Sequence, residues 1–152
     1  ITESSHVVIV ARDYAEKYTG ITNLEEACRV IHDRGVLIAC VTDGANGSYF
    51  VWPDGTAYRC QPFPQEHVVD TTGAGDSFHG AFLSKLAASI RQENALHDEF
   101  IKPIDILQSL DHKQLESAAI FASAVSALNT QGIGGRSALP SLETARNLAG
   151  LE

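Results

Sequence analysis

Positive charge is scarce in this chain. Lys and Arg number 11 against 19 Asp and Glu, a formal net charge of -8 at pH 7. That balance excludes an extended nucleic-acid-binding face, which needs clustered basic residues. Long hydrophobic runs are missing too. None approaches the ~20 apolar residues of a membrane-spanning helix, and no stretch reads as a signal peptide, so the expected location is the cytosol. Cysteine is sparse and odd in number. Cys28, Cys40 and Cys60 have no metal-ligand spacing, so they read as reduced structural thiols. The histidines His6, His32, His67, His97 and His112 share no ligand spacing either. No G-x-G-x-x-G string opens an early helix, which argues against a dinucleotide-binding oxidoreductase. Repeats, low-complexity segments and long linkers are absent.

What remains is 44% hydrophobic and 20% charged, the balance of a globular domain. The most informative stretch is Asp70-Thr71-Thr72-Gly73-Ala74-Gly75-Asp76-Ser77-Phe78. Two glycines and an alanine let backbone N–H groups approach a ligand closely. An apolar stripe follows, with Phe78, Phe82, Leu86 and Ile90 spaced four apart, which predicts a helix. A helix starting in a glycine-rich turn presents unpaired N–H donors and the positive end of its dipole, an anion site. A carboxylate placed there would repel a phosphate unless it has work to do. Asp76 therefore reads as a general base for a hydroxyl nucleophile.

The layout alternates. Strands are expected at Val7 to Val10 and Val36 to Val41, with a hairpin of Ser48 to Trp52 and Thr56 to Cys60 across Pro53-Asp54-Gly55. His67 to Val69 is expected as a short strand. Helices are expected over Arg12 to Tyr18, from Asn23 to Arg34, from Ala74 to Arg91, over Asp105 to Leu110, from Asp111 to Leu128, and from Ser141. Gln92 to Lys102 reads as polar and irregular. Alternation of strand and helix implies an α/β fold with a mostly parallel sheet, and ligands at the strand carboxyl ends.

The nine-residue string resembles the C-terminal signature of the phosphofructokinase B (PfkB)/ribokinase family of sugar and nucleoside kinases. Thr42-Asp43-Gly44-Ala45-Asn46-Gly47, after an apolar run, resembles that family's T-x-G-x-x-G nucleotide loop. Asn129 through Pro140 is similar to the loop that closes its adenine pocket. All three occur in the family's order, so the resemblance covers nearly the whole chain. It implies a three-layer α/β/α, Rossmann-like (ribokinase-like) fold, here its C-terminal half. It implies transfer of the γ-phosphoryl of ATP to a sugar alcohol, with Mg²⁺ and often K⁺. Asp76 would be the base. The backbone of Gly73, Ala74 and Gly75 would form the anion hole. Thr42, Gly44 and Gly47, with Ser126 and Asn129, would contact the nucleotide. Asp70 and the carbonyl of Thr72 would hold a monovalent cation, against the plainer reading of Asp70 as a cap.

Three features qualify the resemblance. The family's N-x-x-E motif falls on Ala11 and Tyr14, which cannot support Mg²⁺. The ketohexokinase branch also lacks that motif, and Val7 to Glu16 is similar to it, which tilts the acceptor toward a ketose. That departure keeps a second reading open, a kinase-like protein that senses a ligand or binds a partner without catalysis. Full-length members of the family are roughly twice as long as this chain, beyond a usual one-domain count. Residues 1–150 are therefore expected to be the nucleotide-side portion, inactive alone, with a sheet edge that favours self-association into a homodimer. Leu151-Glu152 reads equally as a native end or a cloning scar. His79 is expected to be surface or packed, and Ala122 to be helix packing.

Overall fold

The computed structural model describes residues 5–151. β1 (Val7–Ala11) is a short apolar strand, and α1 (Arg12–Thr19) begins at the next residue. Gly20, at φ 74°, ends α1 in the left-handed region. α2 (Leu24–His32) is capped by Asn23, whose side chain accepts the Glu26 N–H at 3.0 Å. β2 (Ile38–Thr42) starts two residues later than Val36. The reason is local: the Val36 N–H still closes the helix end on the His32 carbonyl, and the ladder begins once Leu37 and Ile38 donate to His6.

β1 and β2 are parallel, because two helices carry the chain back over the sheet between them. The connections to β3 (Ser48–Val51) and β4 (Ala57–Cys60) are too short to cross over, so both pair antiparallel. The result is a mixed α/β sheet in the order β1-β2-β3-β4. Among the described residues, parallel pairing is confined to β1 and β2. The hairpin turn lies at Pro53-Asp54-Gly55, where Gly55 takes φ +82°.

The sheet is buried on both faces. Along β2, Ile38 and Cys40 face one core while Ala39 and Val41 face the other, the period of 2 that a strand imposes. The second core is completed by Ala15, Leu24, Cys28 and Ile31 of α1 and α2. The first is completed by α3 (Ala74–Leu96), α4 (Pro103–Ser109), α5 (His112–Asn129) and α6 (Leu142–Ala149). This is a three-layer α/β/α sandwich. Phe78, Phe82 and Leu86 are buried as the spacing predicts, and each such side chain contributes about 1.5–3 kcal/mol. The rings of Phe50 and Phe82 lie 5.3 Å apart, within the range of favourable aromatic pairs. Cys28, Cys40 and Cys60 are free, buried thiols. Burial pushes Cys28 up to about 12 and Cys60 up to about 11.

Two expectations fail locally. His67 to Val69 is not a strand. Val69 and Asp70 instead donate both N–H groups to one acceptor, the Thr130 carbonyl, at 2.8 and 3.1 Å. α3 continues to Leu96 rather than ending at Arg91. Asn94 explains the extension: its side chain bridges back to Ile101, donating to the carbonyl at 3.2 Å and accepting the N–H at 2.8 Å. Leu151 donates its N–H to Arg146 and packs against the first core, whereas Glu152 lies outside the described residues. No helix among the described residues is long and apolar enough to cross a membrane.

Candidate functional site

The site begins with one backbone conformation. Gly73 caps α3 at φ 77°, ψ 0°, with no side-chain cap. A Cβ there would sit 2.5 Å from the Gly135 Cα, so only glycine fits both the dihedral and the space. The Ala74 N–H is taken by the Thr71 carbonyl at 3.1 Å. The N–H groups of Gly73, Gly75 and Asp76 have no protein acceptor among the described residues. The unpaired donors are therefore those of Gly73, Gly75 and Asp76 rather than of the Gly73-Ala74-Gly75 run. Gly75 has no positive φ, and a Cβ on it would meet open space. Asp76 is exposed in the same first turn.

β2 delivers the second part. Its end residue Thr42 donates its hydroxyl to the Val10 carbonyl at 3.4 Å. The next five residues close on themselves: the Asp43 N–H donates to the Gly47 carbonyl at 2.8 Å, and Asn46 donates back to Asp43 at 2.9 Å. Gly47, at φ +92°, packs so tightly that a Cβ would lie 2.3 Å from the Cys60 carbonyl oxygen. Gly44, at φ +51°, faces open space. Arg12 grips Asp43 with two parallel bonds, Nε to Oδ1 at 2.7 Å and a terminal nitrogen to Oδ2.

Between these parts lies a cavity of about 420 Å³. Thr42, Gly44 and Gly47 form one wall, Ala74, Gly75 and Phe78 a second, and Ser126, Ala127 and Thr130 a third. The linker residues Pro62, Phe63 and Val68 cover it. This lining is mostly apolar with a few polar groups, the usual character of a small-molecule site. Ser126 also donates to the Ala74 carbonyl at 2.9 Å, fastening α5 to the first turn of α3. Thr130 belongs to the stretch likened above to the adenine-pocket loop, whereas no chemical role was read for Pro62, Phe63 or Val68. Only the path of the chain brings them here.

Several candidates do not line the cavity. Asn129 is fully buried, with its amide nitrogen on the Gly135 carbonyl at 3.1 Å and its Oδ1 without a hydrogen-bond partner. It holds the 131–135 loop. Asp70 does so from the other side, accepting the N–H groups of Thr72 and Gly134, each at 2.8 Å. Those two donors hold its carboxyl below the usual carboxylate range, Thr72 most strongly. His79 is packed rather than open: Nδ1 lies 2.8 Å from the Gly75 carbonyl and Nε2 3.0 Å from the Ile9 carbonyl. Tyr14 is exposed and stacked on Tyr18 at 5.7 Å. Among the described residues, no group of three or more His, Cys, Asp or Glu could hold a metal ion.

A second hollow of about 310 Å³ lies at the hairpin turn, beside Trp52, Asp54, Leu110 and His112. Asp54 accepts the Thr56 N–H at 2.9 Å and meets His112 Nε2 at 2.8 Å. These contacts, the Thr56 N–H foremost, hold its carboxyl down to about 2.

A family model described as "pfkB family carbohydrate kinase" matches residues 1–142. The chain is 29% identical over 127 residues to a bifunctional ribokinase/ribose-5-phosphate isomerase A from Fructilactobacillus sanfranciscensis, covering 84% of this chain and 19% of that protein. It is 33% identical over 93 residues to a ketohexokinase from Mus musculus, covering 59% of this chain and 30% of that protein. Its fold matches a Vibrio cholerae fructokinase double mutant in fructose-, ADP- and potassium-bound form, with a TM-score of 0.73 and 23% identity, covering 95% of this chain and 40% of that one. The chain thus spans less than half the length of each.

Proposed function

The chain belongs to the pfkB family of carbohydrate kinases, and we propose that it supplies the nucleotide-binding and catalytic-base portion of an ATP-dependent sugar kinase. One observation carries the proposal. Ala74, Gly75 and Phe78 at the start of α3 line the cavity together with Thr42, Gly44 and Gly47 of the loop after β2, and the same first turn carries the exposed Asp76 and the unpaired N–H groups beside that lining. Phosphoryl transfer asks the protein mainly for positioning and for charge stabilisation.

In this reading the nucleotide lies in the apolar cavity, and its phosphates run toward the start of α3. The Gly73, Gly75 and Asp76 N–H groups and the dipole stabilise the anion. The Asp76 carboxylate takes the proton from the acceptor hydroxyl as its oxygen attacks the γ-phosphorus, and ADP leaves. Mg²⁺ offsets the charge of the phosphates when bound. Ala11 and Tyr14 supply no carboxylate or amide for it, so ATP oxygens and water would be its ligands. Asp70, whose carboxylate already accepts the Thr72 and Gly134 N–H groups, would with the Thr72 carbonyl hold K⁺, an ion that the related fructokinase structure contains. Asn129 acts on the nucleotide indirectly, through the 131–135 loop. The acceptor is a sugar hydroxyl, and its binding residues and lid belong to polypeptide beyond this chain.

The test compares the full kinase with its Asp76→Asn variant, using ATP, Mg²⁺ and a panel of ketoses, aldoses and nucleosides. The variant is expected to lose about 10²- to 10⁴-fold in turnover while binding ADP as the wild type does. Near-normal turnover by Asp76→Asn would refute the assignment.

A further inference from the structure

We propose that Arg12 is a positioning residue for the nucleotide, acting through Asp43 on the Thr42–Gly47 loop. The proposal rests on the nucleotide-site reading given above. It starts from where the pair stands. The parallel ladder between β1 and β2 has five rungs, and its last is Ala11 opposite Thr42. Arg12 and Asp43 are the next residue on each side. At this point the backbones part, one into α1 and the other into the loop. The guanidinium fork bridges the gap with two parallel bonds to one carboxylate, a geometry that lysine cannot reproduce.

A fold staple is not needed here, since the register of β1 on β2 is already fixed by the rungs before it. What the fork adds is a hold on Asp43. That residue closes the loop through its own backbone, donating to Gly47 and accepting from Asn46. Gripping its side chain therefore fixes the whole loop, including Gly44 and Gly47 at the cavity wall. The Asp43 side chain is only 10% exposed and that of Arg12 43%. Such a pair is partly shielded from water, unlike the fully exposed pairs that contribute little. The clamp occupies the same β1–α1 junction as Ala11 and Tyr14, which bear no acid or amide.

ADP titrations by calorimetry test this on the wild-type chain and on Arg12→Gln, Arg12→Lys, Asp43→Asn and the Arg12→Gln/Asp43→Asn double variant. Melting temperatures are measured alongside. Each neutralising variant is expected to weaken ADP binding about 10-fold, the effect of losing one charge-assisted pair. The double variant is expected to lose no more than one single variant, because one contact is being removed. Arg12→Lys should fall between, keeping the charge without the fork; it carries the test if a neutralising variant fails to fold. Wild-type ADP affinity in folded Arg12→Gln and Asp43→Asn, with only the melting temperature lowered, overturns the clamp and leaves the nucleotide site intact. Losses that multiply in the double variant overturn it as well. A folded wild-type chain that binds no ADP overturns the nucleotide site and the clamp together.

Discussion

Gly73 and Gly75 stand two residues apart and act through different physics. Gly73 needs its positive φ and has Gly135 against it. Gly73→Ala should therefore cost at least about 1–2 kcal/mol from the left-handed conformation alone, read as a lower urea midpoint. Gly75 is helical, with open space where a Cβ would stand. Gly75→Ala should keep or raise stability by up to about 1 kcal/mol, yet weaken ADP binding, because the methyl enters the cavity. Calorimetry and denaturation on both variants would decide, and equal stability losses would contradict this distinction. Asp54 makes a separate prediction. Its carboxyl is held to about 2 from an ordinary 3.8. Its hold on Thr56 and His112 therefore contributes stability above the ordinary value and loses it as pH falls through about 2. A carboxyl titration by NMR should show a midpoint near 2; a midpoint near the ordinary value would show that the turn is not braced this way. The glycines of the Gly73 turn were legible as a close-approach motif, but which N–H groups stay unpaired was not. That depended on the Thr71 carbonyl reaching Ala74.

The elements differ in how strongly sequence dictated them. α5 was legible to within a residue, because Asp111 and Gln114 exchange side-chain and backbone bonds in a full capping box. Asp111→Ala should destabilise by about 1 kcal/mol and lower the melting temperature by about 2–4 °C; an unchanged thermal melt would refute the cap's role. α3 was legible at its start and not at its end, since the side chain of Asn94 finds its partner seven residues on, at Ile101. The segment His67–Val69 has β-branched residues but no strand to join. Its N–H groups turn to Thr130 instead, and tertiary context overrides propensity. Asn129 was read as a nucleotide contact because of its place before a glycine-rich loop. Its burial against Gly135 makes it the post that holds that loop.

For the whole molecule, the sheet explains where the cavity lies. The cavity opens beside the carboxyl end of β2, as an α/β sheet favours. Among the described residues β1 is an edge strand, with its Ile9 carbonyl met by His79 Nε2 at 3.0 Å, and an edge strand is a place where another strand can pair. The proposed reaction also needs an acceptor hydroxyl held near Asp76 and water excluded. The chain alone is therefore expected to fold and to bind ADP, but to release no sugar phosphate from ATP with ketoses, aldoses or nucleosides. Robust sugar-dependent turnover by this chain would place the acceptor site within these residues and refute the division of labour proposed here.

Sequence by itself determined the α/β class, the positions of most helices and strands, and the glycine-rich turns after β2 and before α3. Those follow from local rules: the period of apolar residues, the caps, and glycines where no other residue fits. Tertiary structure alone decided which groups meet. Ser126 reaches Ala74 across 52 positions and Arg12 reaches Asp43 across 31. No local pattern encodes such contacts, because they arise when two cores on opposite faces of one sheet fix where each loop emerges.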